Sequence, residues 1–192
     1  QMNSEISFAD KEIKKSFMCS LKGSYQKLNI KTAHQAINIL ISKGFKISES
    51  SFELGFSNVQ NLTGIKGRWD VLGSSPKIIC DTAHNTEGLS LVLEQLQKES
   101  YDNLHIVLGF VNDKLLGDII KLFPVSARYY FCKPDIPRGL DSDKLKRFFS
   151  DYNLNGKAYS SVKEALFYAK SISKQNDLIF IGGSTFVVAE VI

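Results

Sequence analysis

The chain has 192 residues, room for one large domain or for one domain and part of another. A hydrophobic fraction of 43% and an aromatic fraction of 11% supply a core and exclude a disordered chain. The net charge of +4 is mild, and its lysines are spread out with no dense Lys/Arg block, which argues for a solvated surface and against a nucleic-acid partner. Cys19, Cys80 and Cys132 are far apart and lack C-x-x-C spacing, so they read as reduced thiols. No apolar run approaches the roughly 18 residues that span a bilayer, and the polar opening lacks signal-peptide character. A soluble, cytoplasmic protein is expected.

Residues 1–28 give few signals: a polar start, a charged segment over 10–15, and a short apolar stretch, 17–21, that reads as a strand. Ala33, Ala36, Ile37, Leu40 and Ile41, three and four apart, predict a helix over 29–43 closed by Gly44. Ser48 caps a shorter helix that runs to Leu54 and stops at Gly55. Residues 57–66 are polar and Gly-bearing and read as a linker. The domain boundary is placed there, giving units 1–64 and 65–192. Two helices alone form no sheet domain. They are either a small helical domain or, the preferred reading, the end of a larger one.

Beyond the boundary the pattern becomes regular. Strands are expected at 69–72, 77–80, 104–110, 127–132, 157–159 and 178–181. Helices are expected at 86–98, 115–123, 142–152 and 161–173, with a closing helix after the last strand. Such alternation gives an α/β domain, a mostly parallel Rossmann-like sheet with right-handed crossovers and helices on both faces.

Chemistry concentrates between Gly67 and Asn85. The apolar run Lys77-Ile78-Ile79-Cys80 reads as a buried strand that stops at Asp81, with His84 and Asn85 following at once. These residues therefore sit where open α/β sheets hold their ligands. Arg68 offers a planar fork of five donors suited to phosphate or carboxylate, or else it is a surface arginine in an ion pair. A carboxylate at Asp81 must be paired or wet, and capping the next helix is its plain alternative. His84 is either a half-buried structural histidine or a site residue, and Asn85 suits a helix cap. Asn29 and Ser184 are equally explicable as helix caps, and His34 and His105 read as structural.

Gly67-Arg68 followed by Asp81-Thr82-Ala83-His84-Asn85 resembles the folylpolyglutamate synthase and dihydrofolate synthase family, a branch of the Mur ligases. Further matches occur in the same order: Gly23-Ser24-Tyr25-Gln26 with Asn29, the turn Gly109 to Lys114, Pro137-Arg138-Gly139, and Gly183-Ser184. The resemblance implies a Mur ligase C-terminal domain preceded by a short, mostly helical tail of the central ATPase-type domain. It implies that Asn29 lies near the adenine, that Arg68 binds nucleotide phosphate, and that Asp81 contacts the ATP and orients the neighbouring loop. His84 would act at the phosphate and glutamate end of the cleft, and Ser184 near the incoming glutamate. Arg68 and His84 are thus the implied catalytic residues. Leu115 stands where the family commonly has a second acid, which leaves a role for the Asp113-Lys114 turn open.

Neither G-x-x-x-x-G-K-[ST] nor G-x-G-x-x-G occurs in the sequence. The family binds ATP through such a P-loop, so ATP and Mg²⁺ are expected to be held mainly by parts outside these residues, with no metal ligand here. The expected whole is an ATP-dependent ligase that joins L-glutamate to folates, dihydropteroate being a further acceptor to test. Its expected partners are folate, glutamate, ATP and the remaining domains of the parent enzyme. The chain alone is expected to be inactive. A UDP-muramyl-peptide ligase and a free-standing nucleotide-binding module are the competing readings.

Overall fold

The computed structural model describes residues 6–9, 17–112 and 116–192, so the 10–15 segment and the Asp113-Lys114 turn lie outside the described residues. Contacts divide the chain into two units, Gln1–Ile65 and Lys66–Ile192.

The first unit contains α1 (Gln26–Ser42), α2 (Glu49–Ser57) and α3 (Val59–Thr63). Helix α1 starts three residues before Asn29, with Tyr25 at the N-cap and no side-chain cap, so Asn29 is not a cap. Ser48 caps α2 as its residue type predicts, accepting from the Ser51 N–H at 3.1 Å. Gly55 does not end α2. Phe52 and Phe56 flank it one turn apart, their ring centroids 4.6 Å apart, and this packing offsets the roughly 1 kcal/mol a helical glycine costs. The expected linker holds α3, ended at Gly64 in the left-handed region with φ 67°. Residues 17–21 form no strand, because this unit offers them no described strand to pair with. Phe17 packs instead on Phe52, centroids 4.7 Å apart, and on His34 at 5.6 Å. Leu40 and Ile41, expected on the inner face of α1, are exposed, as are Leu28, Phe45 and Leu54.

The second unit is a six-stranded sheet in the order β1-β2-β6-β3-β4-β5. Its strands are β1 (Asp70–Ser74), β2 (Lys77–Cys80), β3 (Leu104–Leu108), β4 (Arg128–Cys132), β5 (Gly156–Tyr159) and β6 (Leu178–Gly182). Hairpin strand β1 is antiparallel to β2, and every other pairing is parallel. The helices are α4 (Thr86–Leu96), α5 (Gly117–Ile120), α6 (Ser142–Ser150), α7 (Val162–Ile172) and α8 (Thr185–Ala189). This is the mostly parallel, helix-covered sheet that the alternation predicts. Individual helices are shorter than expected at their carboxyl ends, where fraying is ordinary.

Side-chain alternation along the strands divides the core into two layers. Ile78, Cys80, Ile179, Ile181, Val107 and Tyr130 pack with Val162, Ala165 and Ala169 of α7 and Val187 and Val188 of α8. Their neighbours in sequence point the other way, where Tyr129 and Phe131 of β4 pack on Phe149 of α6. Central strands β3 and β6 are buried throughout, as a parallel sheet covered on both faces requires. The chain passes from β2 to β3 over the position of β6, then moves outward to β5 and returns through α7 to β6. The direction of winding therefore reverses at β6, and ligands of open α/β sheets bind at the carboxyl ends of such strands.

Candidate active site

Strand β2 hands its direction to a short polar segment. The Asp81 N–H donates to the Ile181 carbonyl at 3.1 Å, which extends the sheet pattern one residue past β2. Thr82 then turns away, and its N–H donates to the Gly67 carbonyl at 3.0 Å. The chain entering the domain is thereby tied to the chain leaving its first buried strand.

Gly67 and Trp69 both lie in the left-handed region, with φ 74° and 59°. Glycine takes this conformation freely, and a side chain at 67 would put its Cβ 2.6 Å from Thr82 Cγ2. Trp69 takes it at a strain of roughly 1–3 kcal/mol, and the burial of its indole, 3% exposed, works against that cost. Two carboxylates hold the turn. Asp70 Oδ2 accepts from the Gly67 N–H at 2.6 Å, and Asp81 Oδ2 accepts from the Trp69 N–H at 2.8 Å. The other Asp81 oxygen, Oδ1, accepts from the Ala83 N–H at 2.8 Å, and Asp81 is only 2% exposed.

Arg68 projects between the two left-handed residues. Its Nη1 donates to the Thr82 hydroxyl and to the Gly67 carbonyl, and the hydroxyl in turn donates to that carbonyl at 3.1 Å. These partners are neutral, and no carboxylate pairs with Arg68 among the described residues. The guanidinium is half-buried, so its charge suits an external anion. His84 is exposed, and its Nδ1 lies 3.0 Å from the Thr82 carbonyl. A carbonyl only accepts, so Nδ1 carries the proton. Asn85 caps α4 through the Gly88 N–H at 2.9 Å.

Strand β6, the parallel neighbour of β2, ends in Gly182-Gly183-Ser184. Gly183 has φ 89°, and a Cβ there would lie 2.7 Å from the Gly109 carbonyl oxygen. The ends of β6 and β3 consequently approach backbone to backbone. Ser184 is 4% exposed and caps α8, accepting from the Phe186 N–H at 3.2 Å. Helix α8 reaches back to the first turn: Val188 Cγ1 would be 3.1 Å from a Cβ on Gly67.

Arg68, Asp81 and His84 are thus brought together around Thr82, and Ser184 lies at the end of the adjacent strand. Asn29 belongs to the first unit, where it is exposed in the first turn of α1 and its Nδ2 donates to Gln26 Oε1 at 2.9 Å. Sequence reasoning missed Thr82, whose hydroxyl and carbonyl hold the two proposed functional side chains, and it missed Trp69 and Asp70. No signal in the sequence marks Thr82, whose hydroxyl finds its partners 14 and 15 positions away.

Among the described residues, no group of three or more His, Cys, Asp or Glu is placed to hold a metal ion. Burial, reinforced by Asp70 and Asp81, pushes the Cys80 thiol up to about 12, and burial drives that of Cys132 up as well. Neither is a thiolate nucleophile near neutral pH. No helix of the described residues is long and apolar enough to cross a membrane.

The strand order, with helices covering the sheet, defines a Rossmann-like α/β domain. Residues 67–185, well over half of the chain, match the family described as Mur ligase, glutamate ligase domain, and the chain belongs to it. It is 36% identical over 127 residues to a probable bifunctional folylpolyglutamate synthase/dihydropteroate synthase of Haloferax volcanii, covering 65% of this chain and 15% of that protein. It is 27% identical over 163 residues to the dihydrofolate synthase/folylpolyglutamate synthase of Escherichia coli, covering 83% and 36%. The Mycobacterium tuberculosis folylpolyglutamate synthase complexed with ADP shares the fold, with a TM-score of 0.76 at 22% identity over 90% of this chain and 40% of that one. A UDP-N-acetylmuramoyl-L-alanyl-D-glutamate–2,6-diaminopimelate ligase of Caulobacter vibrioides also matches, 25% identical over 165 residues, 82% of this chain and 34% of that protein. The chain therefore spans well under half the length of each of these relatives.

Proposed function

We propose that residues 65–192 are the glutamate-ligase domain, and residues 1–64 the end of the central ATPase-type domain, of a longer cytoplasmic ligase that adds L-glutamate to folates at the expense of ATP. The observation that carries this reading is the half-buried Arg68 guanidinium, fixed by Thr82 and Gly67 on the rim of the sheet with no carboxylate partner among the described residues. The names of the two relatives with folate substrates favour the folate acceptor over a UDP-muramyl peptide. The exposed apolar side chains of the first unit, Leu28, Leu40, Ile41 and Leu54, support its being one layer of a larger domain.

ATP supplies the phosphoryl group that activates the acceptor carboxylate as an acyl phosphate, and the amine of glutamate displaces phosphate from it. Arg68 fits the nucleotide: its fork binds phosphate oxygens and offsets the charge that moves onto them. His84, held through Nδ1, turns Nε2 toward the reacting end. Ser184, on the neighbouring strand, borders the glutamate, and Asn29 serves the adenine side. Mg²⁺ is assigned to groups elsewhere in the enzyme. Domain closure would bring Arg68 and His84 onto the intermediate and exclude water.

A direct test is ATP turnover by purified 1–192. The expected result is no folate- and glutamate-dependent hydrolysis, and robust turnover would overturn the assignment of the chain as one part of a larger catalyst.

A further inference from the structure

We infer that the cleft between α7 and the outer strands β4 and β5 is a binding site for a small planar aromatic carboxylate. The site is separate from the Arg68 rim and does not depend on the ligase reading.

Strand register builds the cleft. Tyr130 of β4 lies opposite Lys157 of β5, and Cys132 opposite Tyr159. Positions two apart along a strand share a face, so Arg128 and Tyr130 stand beside Lys157 and Tyr159 on the face that α7 covers. With Tyr168 and Ile172 of α7 they line a cleft of about 260 Å³. Tyr130 is its floor, 4% exposed, with its hydroxyl committed to His105 Nδ1. From there the rings of Tyr159 and Tyr168 continue outward, at successive centroid separations of 5.9 and 5.1 Å. Successive rings are tilted by only 22° and 30°, which suits a flat guest lying alongside them. Strand β5 is the last of the sheet, so no further strand closes the cleft on its outer side.

Charge selects the guest. Arg128 and Lys157 are exposed, and neither side chain has an ion pair or hydrogen bond among the described residues. No carboxylate lines the cleft among the described residues either. Helix α7 ends at Ile172, and its carboxyl end brings about half a negative charge against the two full positive ones. An anion is therefore favoured. The Arg128 fork matches the two oxygens of a carboxylate, and Lys157 adds a point charge. The volume falls below the roughly 300–1,000 Å³ of pockets for drug-sized ligands, which limits the guest to one ring or two fused rings. Arg128 and Gly156 are the first residues of their strands, so the site lies at the amino ends of the sheet, the rim opposite Asp81 and Ser184. Its occupant would not compete with a ligand of that other rim.

The probe is 2-naphthoate, with 2-naphthamide as its uncharged isostere. In ¹⁵N-labelled 1–192, naphthoate should shift the amides of residues 155–159, Tyr168 and Ile172 saturably. Naphthamide should bind about 10-fold more weakly, the size of one charge-assisted contact. Arg128→Gln and Lys157→Gln change exposed side chains and leave the core alone. Each should weaken naphthoate by about 3- to 10-fold and leave naphthamide unchanged. Tyr168→Ala should weaken both probes, and Arg68→Ala neither. The proposal is overturned by the absence of a saturable shift, by equal affinity for the two probes, or by shifts centred on residues 67–85. Displacement of naphthoate by equimolar inorganic phosphate would also overturn it, because the rings would then take no part in binding.

Discussion

Nε2 of His105 lies 3.2 Å from Oδ2 of Asp177, and both side chains are shut off from solvent at the amino-terminal edge of the sheet, the rim opposite Asp81. A carboxylate only accepts, so Nε2 carries the proton and Nδ1 accepts from the Tyr130 hydroxyl at 2.8 Å. Burial raises Tyr130 to about 12, which keeps that hydroxyl a donor.

The pair gives stability a definite pH dependence. Burial lowers the pKa of His105 below its ordinary 6.5, and Asp177 only partly opposes this. The unfolded chain therefore takes up this proton first, and the contribution present above pH 6.5 is lost as pH falls. Burial pushes Asp177 up, but hydrogen bonds from the Lys174 N–H, Asn103 and His105 outweigh it and hold the carboxyl at about 2 against an ordinary 3.8. Its contribution is present above pH 3.8 and is lost as pH falls toward 2. The melting temperature should decline from about pH 6.5 downward and more steeply below pH 4. A melting temperature that rises between pH 7 and 5 would contradict this account. Asp177→Asn should lower it at pH 7, because the backbone and side-chain donors around the carboxylate lose their charged acceptor.

Arg68→Ala in the full ligase should reduce nucleotide-dependent turnover by a factor on the order of 10² or more, the size expected for a charge-assisted phosphate contact. Arg68→Lys should recover only part of this, since a point charge cannot reproduce the fork held by Thr82 and Gly67. Steady-state kinetics with ATP as the varied substrate reads both, and wild-type kinetics in the alanine variant would make Arg68 an ordinary surface residue.

Two glycines should respond oppositely to alanine. At Gly67, φ is 74° and the new Cβ would lie 2.6 Å from Thr82 Cγ2, so Gly67→Ala should cost about 1–3 kcal/mol. Nothing lies within 4 Å of a Cβ at Gly55, inside α2, so Gly55→Ala should add about 0.5–1 kcal/mol to the first unit. Urea denaturation followed by circular dichroism measures both signs.

Ser184→Ala removes the cap of α8, which should cost about 1 kcal/mol. If Ser184 borders the glutamate, the variant should also raise KM for glutamate while leaving KM for ATP unchanged. Ser184→Thr should restore the cap and most of the affinity. Loss of stability with both KM values intact would leave Ser184 as a cap alone.

The fold of the second unit was legible because buried parallel strands and amphipathic helices leave different periods in the sequence. Ile78, Ile79 and Cys80, or Leu178 to Ile181, are continuous apolar runs with no other use. The first unit was misread where tertiary contacts override local signals: Gly55 reads as a stop, yet the Phe52 and Phe56 rings carry α2 past it. At the candidate site, residue types were readable and directions were not. Asp81 reads as an acid at a strand end, but its bond to the N–H of a left-handed tryptophan twelve positions earlier leaves no trace in the local sequence. Thr82 has no local signature at all, because its partners come from Gly67 and Arg68 across the turn.

Incorporation of labelled glutamate by the polypeptide that carries this chain, with ATP and Mg²⁺ and with tetrahydrofolate, dihydropteroate or a UDP-muramyl peptide as acceptor, tests the central claim most directly. The account predicts labelled tetrahydrofolate, and labelling of dihydropteroate as well would make the enzyme bifunctional. Label in the muramyl peptide alone, or in none of the three, would contradict it.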